Sequence, residues 1–332
     1  MTQFRKSLAL AVLAAGLMAS VAQAADTRIA LVVKSLGNGF FDAANKGAQE
    51  AAKELGGVEI IYTGPTTTTA EGQIEVLNSL ISQKVDAIAI SANDPDAVVP
   101  VLKKAMQRGI KVISFDSGVS PEGRILQLNP SSNALIGETC LKLAADVLPE
   151  GKGKIAILSA TATSTNQNIW IEEMKKAMPK FPGLELVTTV YGDDLSDKSY
   201  RETQALLKSH PDVKVIVAPT SVGIVAAAQA VKDAGKIGEV FVTGLGLPSE
   251  MAGAIKSGAS KSFAIWNPID LGYSAAMLAN DLVKEDLDKV EAGQRLKAGR
   301  MGEIEIGEGA EAAMSVPFTY DASNIDEFAK IF

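Results

Sequence analysis

Little in this sequence can hold a transition metal or close a disulfide. Among 332 residues there is one cysteine, Cys140, and one histidine, His210. A lone cysteine makes no internal bridge, and one Cys with one His is too small a set of soft ligands for a zinc or copper centre. Cys140 lies in Leu135-Ile136-Gly137-Glu138-Thr139-Cys140-Leu141, an amphipathic helical stretch, and reads as a small buried hydrophobe. His210 sits between Ser209 and Pro211-Asp212, in a polar turn, where it offers no base for a Ser-His-Asp arrangement. There is no basic excess either: 32 Lys and Arg against 39 Asp and Glu give a net charge of −7. That balance argues against nucleic acid as the main partner. Beyond the amino terminus no apolar run reaches the roughly 18 residues of a membrane span.

The amino terminus reads as an address. Arg5 and Lys6 precede an apolar run from Leu8 to Met18, and Ala22-Gln23-Ala24 stands before Ala25. A basic start, a short apolar run and an A-x-A exit fit a signal peptide, residues 1–24, cleaved after Ala24. A retained anchor is the competing reading, and the run is short for it. No cysteine at the exit supports a lipoprotein.

The rest alternates strand and helix. Apolar, β-branched runs recur at 29–33, 58–62, 87–90, 112–115 and 125–128, and again at 154–158, 186–191, 215–218, 240–243 and 262–265. Between them Ala44, Ala48, Ala51 and Leu55 share one helical face, as do Ile74, Leu77 and Ile81. Helices are expected over 167–178, 199–209 and 224–234, with Glu172 and Lys176 spaced as a helical ion pair. Fully apolar strands between helices predict parallel sheets covered on both faces. The fold class is therefore α/β, with two doubly wound parallel-sheet lobes.

Two segments look alike: Leu128-Asn129-Pro130 and Trp266-Asn267-Pro268. Each ends a strand with Asn-Pro, which keeps the preceding residue extended and opens a helix. With the late stretch 302–306 they predict a three-strand hinge, and ordinary strand-to-helix turns are the competing reading. The amino-terminal lobe is then 25–128 plus 267–300, and the carboxy-terminal lobe 129–266 plus 301–332.

Ligands of such sheets bind beyond the carboxyl ends of the strands. The residues there are Lys34 to Phe41, Ser91 to Pro95, Asp116-Ser117, Thr163 to Trp170, Ala218 to Ser221, Gly244 to Pro248 and Trp266-Asn267. Neutral hydrogen-bonders, one cation, two carboxylates and several aromatics suit a hydroxyl-rich ring: amides, Asp and Lys meet the hydroxyls, and Phe and Trp cover C–H faces. Gly37, Gly39 and Asp94 are accounted for by turn chemistry. Asp116 calls for a functional reason, because an unpaired carboxylate after a buried strand is costly. Catalytic motifs are missing. Asp42 stands where the third glycine of G-x-G-x-x-G belongs, and neither a P-loop nor a G-x-S-x-G elbow is present. An aldolase-like enzyme using Lys34 and Asp116 is the one catalytic alternative.

Lys34-Ser35-Leu36-Gly37-Asn38-Gly39-Phe40-Phe41, with Asp116-Ser117 and the Asn-Pro crossovers, resembles the sugar-binding type I periplasmic proteins, the ribose-binding group. Gly64 to Ala70, Asn166 to Trp170 and Thr243 to Pro248 bring it nearer to the rhamnose-binding subunits of bacterial ABC importers, with the autoinducer-2 receptors as near relatives. The resemblance implies a periplasmic binder with no chemistry of its own, which closes over a small neutral sugar or polyol, needs no cofactor, acts as a monomer and serves an inner-membrane ABC permease. It implies ligand contacts from Lys34, Asn38, Phe40, Phe41 and Asp116 in one lobe and from Asn166, Gln167, Pro219 and Ser221 in the other, with Trp266 and Asn267 at the hinge. Ribose-type binders carry an aspartate where Gly244-Leu245-Gly246-Leu247 has none, and an arginine where Asn166-Gln167-Asn168 stands. The autoinducer-2 receptors have Asp-Gln at Asn166-Gln167 and an Ala near Ser221. Both departures point toward rhamnose.

Overall fold

The computed structural model describes residues 26–331, so the expected signal peptide lies outside the described residues. Among those residues no helix is long and apolar enough to cross a membrane. The chain opens as β1 (Thr27–Val32), α1 (Gly39–Leu55), β2 (Val58–Thr63), α2 (Ala70–Gln83), β3 (Ala87–Ile90), α3 (Val99–Met106), β4 (Lys111–Phe115) and β5 (Leu126–Asn129). It crosses to a second series: α4 (Asn133–Asp146), β6 (Gly153–Ser159), α5 (Thr165–Ala177), β7 (Leu184–Tyr191), α6 (Ser196–Ser209), β8 (Val213–Ala218), α7 (Ser221–Asp233), β9 (Phe241–Gly244), α8 (Pro248–Ser257) and β10 (Ser262–Ile265). It then returns through α9 (Pro268–Lys284), β11 (Arg295–Lys297), β12 (Glu303–Glu305) and β13 (Glu311–Ala313), and ends with β14 (Phe318–Asp321) and α10 (Ile325–Phe328).

The first lobe is a sheet in the order β2-β1-β3-β4-β5-β13, parallel throughout. Every residue of β3 and β4 is buried, as expected of strands covered on both faces. Leu77, Leu80 and Ile81 of α2 and Leu102 of α3 close one face. Helices α1 and α9 close the other. They approach so nearly that a Cβ on Gly47 would stand 1.7 Å from the Ile269 carbonyl oxygen, and one on Gly272 would stand 1.8 Å from that of Ala44. The second lobe repeats the order as β7-β6-β8-β9, parallel. One parallel bridge, Leu245 to Ala264, attaches β10, and β14 pairs antiparallel with β10.

Two crossings fall at Asn129-Pro130 and Asn267-Pro268, on the Asn-Pro segments. The third expectation is corrected. Residues 303–305 form β12, which pairs antiparallel with β11, Leu296 opposite Ile304. Both of those side chains are buried in the core. An alternating Glu-Ile-Glu looks the same in a hairpin as in a crossing strand, so the pattern alone misplaced it. The chain changes lobe at 314–317 instead. There Met314 and Ser315 donate their backbone N–H groups to Asn129 and Pro130 carbonyls, at 3.0 Å each. The first and third crossings therefore run side by side, and the lobe boundary expected at 300 moves to 314–317. The surface pairing on α5 is corrected too: Glu172 pairs with Lys175 and Glu173 with Lys176, each three residues apart.

Candidate functional site

Helix N-termini and strand ends of both lobes converge on one cleft. Its lobe-one wall is fixed by buried amides. Gln73 donates to the Val33 and Ser91 carbonyls at 3.1 and 2.8 Å. Asn93 donates to the Lys34 carbonyl at 2.9 Å. These bonds knit the ends of β1 and β3 and so aim the residues that follow.

Lys34, after β1, and Asp116, after β4, are only 4 % and 5 % exposed. Lys34 Nζ donates across the cleft to Ser164 Oγ (2.7 Å) and Asn166 Oδ1 (3.2 Å). Asn166 Nδ2 donates back to Asp116 Oδ1 (2.9 Å), while Ser91 Oγ donates to Asp116 Oδ2 (2.9 Å). Burial pushes the Asp116 carboxyl above the usual carboxylate range, and the Lys34 charge with the Ser91 and Asn166 donors opposes that shift. Asp116 also holds a left-handed backbone, φ 56°, a strained conformation that in non-glycine residues clusters at functional positions. Around this network the rims meet. Thr163 Oγ1 donates to the Asn93 carbonyl and Thr165 Oγ1 to that of Gly118, both at 3.0 Å, and Thr68 Oγ1 donates to that of Asp193 at 2.8 Å.

Between the rims lies one cleft lined from both lobes. Ten of the eleven expected residues line it: Lys34, Asn38, Phe40, Phe41, Asp116, Asn166, Gln167, Pro219, Ser221 and Trp266. The exception is Asn267. Its Oδ1 accepts from Ile269 N at 2.9 Å and its Nδ2 donates to Asp270, so its side chain is spent on capping α9. Asn38 caps α1 in the same way, accepting from Phe40 N at 3.0 Å, yet still borders the cavity. Gln167 Oε1 accepts from Ser159 Oγ and Ala160 N, both at 2.8 Å, and its Nε2 has no protein partner among the described residues.

The cavity's other half is apolar. Phe40 meets Phe41 edge-on at 5.2 Å and Trp266 at 6.1 Å, and Trp170 meets Trp266 at 5.5 Å. Trp170 Nε1 donates to Asn133 Oδ1, but the buried Trp266 Nε1 finds no partner among the described residues. Trp170, Thr220, Leu245, Ile265 and Asp194 also line the cavity and were not among the expected contacts. Asp194 had a usable signal, because it follows β7 and the strand-end rule applies there as well. Trp170 needed the true start of α5 to fix which helical face it occupies.

The family described as a periplasmic binding protein domain matches residues 29–287. The chain belongs to that family. Among solved structures, an ABC transporter solute-binding protein from Clostridium phytofermentas with bound L-rhamnose superposes with a TM-score of 0.87 at 38 % identity, covering 92 % of this chain and 99 % of that one. The D-ribose/D-allose-binding protein of Pseudomonas aeruginosa is 32 % identical over 226 residues, 65 % of this chain and 70 % of that protein. LsrB from Clostridium saccharobutylicum, solved with AI-2, shares the fold with a TM-score of 0.85 at 22 % identity, over 91 % of this chain and 99 % of that one. As a periplasmic binding protein, the chain is a solute binder and not an enzyme, and the aldolase-like alternative falls.

Proposed function

We propose that this periplasmic binding protein is the sugar-binding component of an ABC importer, exported by cleavage after Ala24, and that its ligand is L-rhamnose. The observation that carries this reading is one cavity lined from both lobes, polar on one side and aromatic on the other. Lys34, Asp116, Asn166 and Gln167 suit hydroxyls. Phe40, Phe41, Trp170 and Trp266 suit a ring face and a methyl group. The rhamnose complex at 38 % identity supports the choice of sugar.

Closure follows from the same arrangement. A ligand held by both lobes favours the closed form because only that form makes both sets of contacts. The hinge is three crossings, and the permease reads the closed shape. Unpaired after closure, each buried polar group costs about 1–3 kcal/mol, which rejects sugars of the wrong stereochemistry.

A thermal-shift series on the mature protein tests this. L-rhamnose at about 100 times its Kd adds about 2.7 kcal/mol of stability, a clear upward shift in Tm. A shift with AI-2 and none with rhamnose reassigns the protein to signal uptake. No shift with rhamnose, other deoxy sugars, pentoses or AI-2 overturns the ligand class.

A further inference from the structure

Two carboxylates border the cavity, one from each lobe, and the polar network described above uses only Asp116. Asp194 enters from the second lobe, in the loop between β7 and α6. Its backbone is left-handed, φ 53°, and so is that of Asp193, φ 55°. Consecutive non-glycine residues in that region are strained and persist where surrounding contacts hold them.

The contacts are present on every side. Asp193 N donates to the Ala160 carbonyl at 3.1 Å. The Asp193 carbonyl accepts Thr68 Oγ1 from the first lobe at 2.8 Å, so closure fastens this loop. Thr220 Oγ1 accepts from Gly223 N at 3.2 Å while capping α7, and its proton goes to Asp194 Oδ1. One carboxylate oxygen is thereby oriented, and Oδ2 has no protein partner among the described residues.

Among the described residues no cation is paired with it. Lys198 pairs with Asp193, and Lys34 is engaged by Ser164 and Asn166. What suits a half-buried, oriented and unpartnered carboxylate oxygen is a neutral O–H donor, which makes a charge-assisted hydrogen bond without cancelling the charge.

We infer that Asp194 is a specificity-determining residue of this cavity, accepting a ligand hydroxyl from the second lobe so that the sugar is selected for hydroxyls on two opposite edges. Asp116 reads the ligand from the first lobe and Asp194 from the second. Thr220 is the positioning residue. The inference rests on the sugar-binding reading above and sharpens it.

The test is a cycle between protein and ligand, run by calorimetric titration. Wild type and Asp194→Asn are titrated with L-rhamnose and with its derivatives lacking one ring hydroxyl at a time. Asp194→Asn should weaken rhamnose by about 10- to 100-fold, the span of a charge-assisted hydrogen bond. One deoxy derivative should bind wild type with a similar loss and bind both proteins equally. Thr220→Val should lose part of the same affinity and Thr220→Ser should recover it. If Asp194→Asn binds rhamnose within about twofold of wild type, or loses the same factor for every derivative, the inference is overturned while sugar binding stands. If wild type binds none of these sugars, the sugar-binding reading itself falls and takes this inference with it.

Discussion

The two lobes share a strand order but not a construction. In the first, six parallel strands run unbroken to the edge strand β13. In the second, the continuous sheet stops at β9, β10 hangs on one bridge, and the edge strand β14 runs antiparallel. The lobe with the unbroken sheet carries the buried charges, Lys34 and Asp116, which follow β1 and β4. The other lobe presents its groups from helix starts and loops: Asn166 and Gln167 on the first turn of α5, Asp194 beside β7, Ser221 opening α7. A buried charge needs partners, and these two draw theirs from both walls: Asp116 from Ser91 and Asn166, Lys34 from Ser164 and Asn166. The other lobe's own groups, neutral amides and a half-exposed carboxylate, cost less to bury. The lesson is that the lobe with the unbroken sheet carries both buried charges, and that these are satisfied only when the second lobe comes down on them.

The largest expected effect tests whether the helix layers differ as the sheets do. A Cβ on Gly47 meets a backbone carbonyl at 1.7 Å, whereas one on Gly137, on α4 against α5 in the second lobe, meets Glu173 Cβ and the Met174 backbone N only at 2.8 Å. Overpacking costs about 1–3 kcal/mol and more where backbone must shift. Gly47→Ala should lose about 3 kcal/mol in urea unfolding and Gly137→Ala about 1 kcal/mol. Equal losses would remove the contrast in packing.

A smaller effect concerns charge. Burial raises the Asp116 carboxyl, so the folded protein keeps that proton to higher pH than the unfolded chain does. The stability this contributes is full below the unfolded value of about 4 and is lost as pH rises through the raised native value. Asp116→Asn, which tolerates the left-handed backbone, should flatten that dependence. It should gain stability at neutral pH while binding ligand at least about tenfold more weakly, the loss of a bond to a charged group. A Tm for wild type that climbs relative to Asp116→Asn across the same range would contradict the sign. Smallest is Asn267→Ala. Losing the α9 cap should cost about 1 kcal/mol of stability with ligand affinity unchanged; a drop in affinity would return Asn267 to the site.

Both sheets were legible in the sequence. β-Branched apolar runs marked every strand of the two series within two residues at either end, because strands buried on both faces leave a continuous apolar signal. What stayed hidden were features whose local pattern has two solutions. Asn-Pro marks a crossing, but it does not say whether the amide faces a ligand or its own helix. Glu303-Ile304-Glu305 alternates alike in a hairpin and a hinge. The segment 314–317, which does cross, carries no strand signal. Asp194 follows β7, the second strand of its lobe, where the strand-end rule applies as it does after the other strands.

The interleaving of the lobes has a consequence for how the chain is made. Strand β13 completes the first lobe's sheet and lies near the carboxyl end; β14 completes the second and lies later still. A ribosome releasing this chain at a few residues per second has therefore delivered nearly all of it before either half owns its last strand. Neither half can finish folding as an independent early unit, so a late truncation should damage both at once. A polypeptide that stays incomplete until its end emerges is also one that remains threadable until then.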